Sequence, residues 1–387
     1  MKVLVIAPQP FYQERGTPIA VDLLVKTLSK HNHEIDLLVY DIGDDRVYKN
    51  VNIHKVGTFP AIKSIKPGFS FKKIYFDFFL LVRLIRLLIK NKYDVIHAVE
   101  ESVFMAFILG PIFRVPYIDD VDSCMTTQLV DKFPFLNIFS KLLHKIEVLP
   151  MRFATAVVPM CELFAKDARN VGAKRVVVLK DVSLIEEGVE CDEDIRAEFN
   201  IQGKICMYIG NLESYQGLDF LLASFELVIK KLPDAKLVII GGEDEDIEKY
   251  KNITKQLFFD GNVLFMGKRP VSLIGAYMKQ ADLLVSPRIH GVNTPMKIYS
   301  YIDSGTAVLA TDRLTHNQVL TSSISCLSDV SEEAFSNNMV LLLNNDALRN
   351  ELAVNAKKYV RSEHSYESYE NTLTDLYNDI ESELSQK

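Results

Sequence analysis

The chain has 387 residues, of which 48% are hydrophobic and 25% charged, and its formal net charge is −7. This length exceeds what one ordinary hydrophobic core organises, so two domains are predicted. The acidic balance argues against a nucleic-acid partner, because phosphate contacts require an excess of Lys and Arg. Five scattered cysteines without a CxxC or Cys/His spacing predict neither a disulfide framework nor a zinc site.

The first half of the chain alternates short β-branched apolar runs with helical segments, a pattern typical of a parallel, doubly wound sheet. The opening run, MKVLVIAPQP, is too short for a secretory signal and is interpreted as the first strand of a cytoplasmic protein. Strands are predicted at 2–7, 35–40, 51–56, 94–98, 116–120, 157–159 and 175–179. Helices are predicted at 19–29, 72–90, 103–109, 136–154 and 162–170.

Residues 55–92 form a basic, aromatic-rich segment in this otherwise acidic chain. Nine Lys or Arg face only Asp77 there, which gives a local charge of +8. Basic residues interleaved with aromatic ones can attach a protein to an anionic bilayer surface, so a peripheral contact with the inner membrane face is predicted. Arg83 and Arg86 keep the apolar run too short to span a bilayer. The alternative is a core helix with a solvated cationic edge.

The acidic stretch 186–198 is interpreted as a linker, after which the alternation of strands and helices restarts. We therefore predict domains at 1–185 and 186–365, with a last helix, 366–387, packing back on the first domain. Two such halves would place a cleft between the carboxyl edges of their sheets. Strands are predicted at 205–209, 235–240, 263–266, 283–286 and 307–310, and helices at 218–230, 246–257 and 273–280.

The stretch 281–305, ADLLVSPRIHGVNTPMKIYSYIDSG, combines a short apolar strand, a Gly-containing loop and a helix. Thr294 and Pro295 are interpreted as the N-cap and first residue of that helix. A loop that enters a helix at the carboxyl edge of an α/β sheet offers backbone N–H groups to a diphosphate. Arg288 and Lys297 would add positive charge.

Several motifs, in this order and spacing, resemble the family 4 glycosyltransferases: YDVIHA at 93–98, IGNLESYQG at 209–217, KLVIIGG at 236–242, VLFMGKRP at 263–270, and 281–305 itself. The resemblance implies an α/β protein of the GT-B fold with two Rossmann-like domains facing across a cleft. It also implies an enzyme that moves a sugar, with retention of anomeric configuration, from a UDP- or GDP-sugar. The acceptor would be a glycan or a lipid-linked acceptor in surface polysaccharide or glycolipid synthesis, and no cofactor is expected.

The chain departs from the family pattern at its signature positions. Family members usually place two Glu around the loop, and the second binds the ribose hydroxyls; here Ser300 takes the second position. Val292 or, in another alignment, His290 takes the first. The family's diphosphate-gripping Arg and Lys correspond to Asn211 and Gln216. The chain therefore resembles a branch with the forms GNLExYQG and PRxxGxNTPxKIYSY.

Residue roles follow from this resemblance. Arg288 and Lys297 are assigned to the leaving diphosphate, where negative charge grows as the sugar–phosphate bond breaks. Asp122, at the end of the fifth strand, is assigned to acceptor or sugar contact. Glu100 and Glu101, after the fourth strand, point to the cleft; either one of them binds acceptor hydroxyls or the pair is solvated surface, which is the commoner role of adjacent Glu in a loop. The remaining donor-site residues are predicted to be Gly16, Asn211, Gln216, Gly242, Lys268, His290, Gly291, Asn293, Thr294 and Ser300.

Two alternatives remain at this point. Asp120-Val121-Asp122 also reads as the Asp-x-Asp pair that holds a divalent ion in other glycosyltransferases, although we expect no metal here. The altered signature positions are also compatible with a catalytically inactive protein of the same fold that only binds a sugar nucleotide or acts as a scaffold. A sugar-nucleotide 2-epimerase shares the fold but is disfavoured by the stretch 283–305.

Overall fold

Residues 1–58, 62, 65, 70–257 and 259–386 are described by the structure, a computed structural model. The chain divides into two compact units, one of Met1–Asp181 with Glu367–Lys387 and one of Val182–Tyr366. The boundaries between the units lie at 181/182 and 366/367, whereas the sequence predicted domain boundaries at 185/186 and 365/366.

The first unit is built on a six-stranded parallel sheet in the order β3-β2-β1-β4-β5-β6. This is the doubly wound order of Rossmann folds. Its central strands are buried along their length, as apolar runs in a parallel sheet covered on both faces must be. The strands are β1 (Lys2–Pro10), β2 (Glu34–Tyr40), β3 (Val51–Val56), β4 (Val95–Val99), β5 (Tyr117–Val121) and β6 (Ala156–Pro159).

The helices that accompany this sheet are α1 (Gly16–Lys30), α2 (Phe71–Lys90), α3 (Ser102–Phe113), α4 (Met125–Lys132), α5 (Ser140–Val148) and α6 (Glu162–Asn170). The sequence predicted one helix over 136–154. Instead, short 3₁₀ segments begin at Pro134 and Pro150 on either side of α5, because proline has no N–H to continue a helical ladder. Helix α4 was not predicted. The predicted strand at 175–179 is reduced to one bridge between Val157 and Val176.

Helix α2 carries most of the described part of the segment 55–92; residues 59, 63, 66 and 69 lie outside the described residues. The helix buries one face, which includes Phe76, Leu80 and Leu84, in the first unit. Its Lys73 is mostly buried and paired with Glu101, so that this residue does not belong to an exposed basic surface. No helix in the described part of the chain is long and apolar enough to cross a membrane.

The second unit repeats the plan with a parallel sheet in the order β12-β11-β10-β7-β8-β9. Its strands are β7 (Ile205–Ile209), β8 (Lys236–Ile240), β9 (Val263–Gly267), β10 (Leu283–Ser286), β11 (Val308–Thr311) and β12 (Cys326–Ser328). Its helices are α7 (Ile195–Glu198), α8 (Leu218–Ile229), α9 (Asp244–Gln256), α10 (Ile274–Met278), α11 (Lys297–Asp303), α12 (Leu314–Asn317), α13 (Glu332–Leu343) and α14 (Asp346–Glu363). The predicted α/β class with two Rossmann-like sheets is confirmed.

The last helix, α15 (Tyr366–Ser385), packs on the first unit, as predicted. It buries Leu373, Tyr377 and Ile380, which share one face of the helix. The Tyr377 hydroxyl lies 2.8 Å from Nδ1 of His97 on β4. Ion pairs from Lys30 to Glu370 and from Arg175 to Glu383 flank this apolar contact.

Candidate functional site

The loop between β10 and α11, residues 287–296, is the centre of the candidate site in the second unit. Helix α11 begins at Lys297, so the prediction that Thr294 caps it and Pro295 opens it is wrong. The bond from Ile298 N–H to the Pro295 carbonyl, 2.9 Å long, instead closes a turn ahead of the helix. Thr294 is buried there, and its hydroxyl has no hydrogen-bond partner within the described residues.

Arg288 lies under this loop with only 8% of its surface exposed. Its Nε donates to the carbonyl of His290 at 2.8 Å and its Nη2 to Oδ1 of Asn293 at 3.1 Å. The guanidinium also lies 5.2 Å from the ring centre of Tyr215. Burial lowers the pKa of Arg288. The partners of this cation among the residues that the structure describes are therefore neutral groups of the loop.

Lys297, the first residue of α11, provides a second cation beside the first. Its Nζ donates to Oε1 of Gln216 at 3.3 Å and stands 3.9 Å from the ring centre of Tyr208. Burial and then the charge of Arg288 hold the pKa of Lys297 well below its ordinary value. None of the ion pairs found among the described residues involves either cation. Two neighbouring cations without a carboxylate form a site that favours an anion.

Glycine is required at two places in the loops of the second unit. Gly291 has φ +107°, and a Cβ there would stand 2.3 Å from Nη2 of Arg288. Gly242, which follows β8, has φ +89°, and its Cβ would stand 2.5 Å from Cδ1 of Leu212. Both positions are barred to other residues by backbone conformation as well as by space. Gly291 therefore leaves room for the Arg288 guanidinium.

The loop after β7 supplies the second wall of the site. Ile289 N–H donates to the Tyr215 carbonyl at 3.4 Å, which joins this loop to the one after β10. Gln216 is buried against Lys297. Asn211 is exposed, and its side chain contacts Tyr215 Oη at 3.2 Å and Glu213 N–H at 3.3 Å. Gln216 and Asn211 stand where the family has cations. Gln216 contacts Lys297, whereas Asn211 is exposed in the same loop after β7.

A buried hydrogen-bond network behind the loop, centred on His316, was not found by sequence reasoning. Thr311 Oγ1 donates to the Arg288 carbonyl at 2.5 Å, and Nδ1 of His316 donates to the Thr311 carbonyl at 2.8 Å. Nε2 of His316 then accepts from the Ser286 hydroxyl at 2.9 Å. Burial lowers the pKa of His316 to about 4, so the ring is neutral near pH 7. His316 lies after the last predicted strand, 307–310, in a stretch without a periodic pattern.

Four predicted donor residues have other surroundings. Oγ of Ser300 accepts from the Leu184 N–H at 3.1 Å, where the second unit begins. Lys268 is largely exposed and pairs with Glu243 at 2.7 Å. The His290 side chain is exposed, and only its carbonyl contacts Arg288. Gly16, in the first unit, is the first residue of α1, with open space where a Cβ would be.

The carboxyl edge of the first sheet carries a separate acidic cluster. Nε2 of His97, on β4, lies 3.0 Å from Oδ2 of Asp120. Burial first, and then the charges of Asp120, Glu100 and Asp181, raise the pKa of Asp122 well above its ordinary value. Asp122 thus lies among three other carboxylates at this edge, where its side-chain oxygens can form hydrogen bonds with a sugar hydroxyl.

Glu100 and Glu101 are part of this edge and are partly buried, so the interpretation as solvated surface is wrong, and the contact with acceptor hydroxyls stays a prediction. Glu101 forms an ion pair with Lys73, and the Ser123 hydroxyl donates to Glu100 Oε1 at 3.0 Å. Burial raises the pKa of Glu101 to about 7, against the opposing effect of Lys73. Sequence reasoning missed this because it could not show that α2 directs Lys73 toward Glu101.

Among the described residues, one group has metal-ligand spacing, and it is not the Asp-x-Asp pair. Cys124, His144 and Glu147 bring ligand atoms within 4.8 Å of one another. The Glu147 carboxylate already accepts from Met125 N–H at 2.5 Å and from Thr126 N–H at 3.1 Å. These bonds cap α4 and account for the cluster without an ion.

Comparison with known proteins finds a family match in each half of the chain. A family model for Glycosyltransferase Family 4 matches residues 15–193, and one for Glycosyl transferases group 1 matches residues 192–359. An uncharacterized glycosyltransferase of Methanocaldococcus jannaschii is 21% identical over 369 residues, which are 89% of this chain and 90% of that protein.

Solved structures share the fold. A sucrose-phosphate synthase from Thermosynechococcus elongatus matches 99% of this chain and 100% of its own, with a TM-score of 0.81 and 15% identity. The Anabaena protein HepE, in complex with UDP-glucose, matches 98% and 100% with a TM-score of 0.73 and 13% identity.

The two parallel Rossmann-like sheets have the GT-B fold, and the two family models identify the chain as a glycosyltransferase. The two family models together cover residues 15–359, and the chain belongs to glycosyltransferase family 4.

Proposed function

We propose that this protein moves a glycosyl group from a UDP- or GDP-sugar, with retention of anomeric configuration, to a hydroxyl of a glycan or lipid-linked acceptor. The reaction would serve surface polysaccharide or glycolipid synthesis in the cytoplasm, at the inner membrane face. The observation that carries the proposal is the pair of buried cations, Arg288 and Lys297, held without a carboxylate partner within the described residues. The UDP-glucose bound by HepE supports a nucleotide-sugar as the donor.

The donor site is proposed to act on the leaving diphosphate. As the bond between sugar and phosphate breaks, negative charge grows on the diphosphate, and fixed donors at that position lower the barrier. Arg288 would supply guanidinium N–H groups and Lys297 a point charge. The other predicted donor contacts are Asn211, Gln216, Gly242, Lys268, Gly291, Asn293, Thr294, Ser300, His290 and Gly16. Because two side-chain cations are available for the diphosphate, we propose a reaction that does not depend on a metal ion.

The acceptor is proposed to meet the acidic edge of the first unit. Asp122 has a raised pKa and acidic neighbours, and carboxyl groups of this kind suit the recognition of sugar hydroxyls. An anionic membrane surface is a further proposed partner. The sequence predicted this contact at residues 55–92, but α2, which carries most of the described part of that segment, buries one face in the first unit and pairs Lys73 with Glu101. No nucleic acid is proposed as a partner.

Product analysis with a panel of UDP- and GDP-sugars tests this function. The protein is incubated with each donor and with alkyl glycoside or lipid-linked acceptors, and products are identified by mass spectrometry, with the anomer assigned by NMR. We expect one donor to be consumed with a retained linkage. Asp122→Asn should lower transfer by about 10²-fold, while the thermal shift produced by the nucleotide persists. Epimerised donor, no transfer with any donor, or an inverted product would contradict the proposal.

A further inference from the structure

The segment 133–153 and the neighbouring face of α3 expose an unusual number of large apolar side chains. Nine of the twenty exposed large hydrophobic residues found in the described part of the chain belong to this surface, each at least 46% exposed. They are Ile108, Ile112, Phe135, Ile138, Phe139, Leu142, Ile146, Leu149 and Phe153. The rings of Phe107 and Phe153 lie 5.6 Å apart and join α3 to the segment. Contiguous exposure of this kind marks an interaction site.

The spacing along α5 arranges these residues as a stripe. Ile138, Leu142 and Ile146 follow one another at intervals of four residues, and Leu149 continues the same face. The opposite face of α5 buries Val148. The helix therefore lies flat on the first unit with its apolar stripe turned to solvent.

Basic side chains border this stripe. Lys141, Lys145 and Arg152 are exposed beside it at helical spacing, and none of the ion pairs among the described residues uses them. Lys132 and Arg114 are exposed nearby as well. Of the acidic groups in this segment, Asp131 is exposed, whereas Glu147 turns inward to cap α4. Residues 131–153 carry four Lys or Arg and two acidic residues, of which Asp131 alone is exposed, so their formal charge is +2 in a chain whose net charge is −7.

We propose that this surface, residues 133–153 with Ile108 and Ile112, docks the protein on an anionic lipid bilayer. An apolar stripe flanked by Lys and Arg suits the boundary between headgroups and acyl chains, because the stripe enters the apolar layer while the cations reach anionic headgroups. A second copy of this chain fits less well, since a two-fold contact would place like charges against each other. The surface differs from the segment 55–92, whose helix α2 buries one face in the first unit.

Vesicle flotation with designed variants tests the proposal. Wild type is mixed with vesicles of phosphatidylcholine alone or with an equal amount of phosphatidylglycerol. One variant, Ile138→Ser with Leu142→Ser and Ile146→Ser, removes the stripe, and another, Lys141→Gln with Lys145→Gln and Arg152→Gln, removes the charge. Matched controls are Leu341→Ser with Val354→Ser, exposed apolar residues of the second unit, and Lys72→Glu with Arg86→Glu and Lys90→Glu on α2.

Wild type should float with the anionic vesicles and far less with the neutral ones. Each docking variant should bind at least about tenfold more weakly, since one basic residue near an anionic surface contributes a factor of about five. Both controls should bind as wild type does. Binding should weaken at 1 M salt, where the Debye length is about 3 Å, without vanishing.

Two outcomes would overturn the proposal. The first is that both docking variants bind vesicles as strongly as wild type does, or that only the α2 control loses binding. The second is no vesicle binding by a wild type that elutes as a dimer and becomes a monomer when the stripe is removed, because the partner would then be a second copy. Melting temperatures of all variants, with and without UDP or GDP, confirm folding and separate this result from a failure of the proposed transfer activity.

Discussion

Within the described part of the chain, Arg288 and Lys297 are held by neutral groups alone, although burial disfavours the charged form of each. Such an arrangement costs stability in the free protein, because the cations repel each other and give up part of their hydration. An anion bound between them would offset this cost. We therefore propose that a bound anion is the physical reason for their presence.

Gly291→Ala tests whether the loop backbone positions Arg288. The substitution should cost about 1–2 kcal/mol of stability through its left-handed backbone, and the added Cβ should displace the guanidinium that lies 2.3 Å away. We expect weaker binding of UDP or GDP in calorimetry. Gly172→Ala is the matched control, because its φ is +78° but a Cβ there meets nothing within 4 Å. Equal nucleotide affinity in both variants would show that Gly291 serves only the turn.

For individual residues, the sequence was enough to select Arg288, Lys297 and the loop residues beside them, because these positions have a fixed spacing from Gly305 and from the motifs. It could not predict that Arg288 lies over the ring of Tyr215 and Lys297 over that of Tyr208, because contacts between residues far apart in the chain depend on the tertiary fold. The inward turn of Glu101 toward Lys73 escaped it for the same reason.

Among the elements, β10, β11 and α12 together hold the loop that carries Arg288. Thr311 is the last residue of β11, and its hydroxyl donates to the Arg288 carbonyl. The His316 ring is hydrogen-bonded to the Thr311 carbonyl and to the Ser286 hydroxyl on β10. The main chain at Arg288 is thus tied to two strands and a helix. Burial keeps His316 neutral, so that this support stays intact near pH 7.

Thr311→Val removes that hydroxyl with little change in shape. Leaving the buried Arg288 carbonyl with one donor fewer should cost about 1–3 kcal/mol of unfolding free energy, and nucleotide affinity should fall although no ligand contact is removed. Thr306→Val provides the comparison, since the Thr306 hydroxyl donates to the Met278 carbonyl at 3.0 Å and is also buried. Denaturant unfolding and calorimetry measure both effects. A fall in stability without a change in affinity for Thr311→Val would limit its hydroxyl to folding.

Element types were predictable where periodicity is strong, and element ends were not. Strands β7 and β10 and helix α6 have the predicted bounds. The continuous helix predicted over 136–154 failed because Pro134 and Pro150 set local turns, and the start of α11 moved to Lys297. Short strands such as β12 carry too few residues for alternation to be recognised.

For the whole molecule, the order of motifs along the chain carried more information than any one of them. Alternating strands and helices led to two parallel sheets, and the amphipathic last segment led to a helix on the first unit; the structure has both. The positive, apolar surface at 133–153 was not predicted, because its residues were assigned to a single packed helix.

Calorimetric titration of UDP and GDP into wild type, Arg288→Ala and Lys297→Ala measures the central claim, that these cations hold the diphosphate of the donor. Each charge-assisted hydrogen bond is worth about 1.5–3 kcal/mol, so the account predicts binding of one nucleotide by wild type and a loss of about 10- to 150-fold in each variant. Lys279→Ala, at an exposed position of the same unit, should bind as wild type does. Unchanged affinity in both cation variants, with folding intact, would contradict the account.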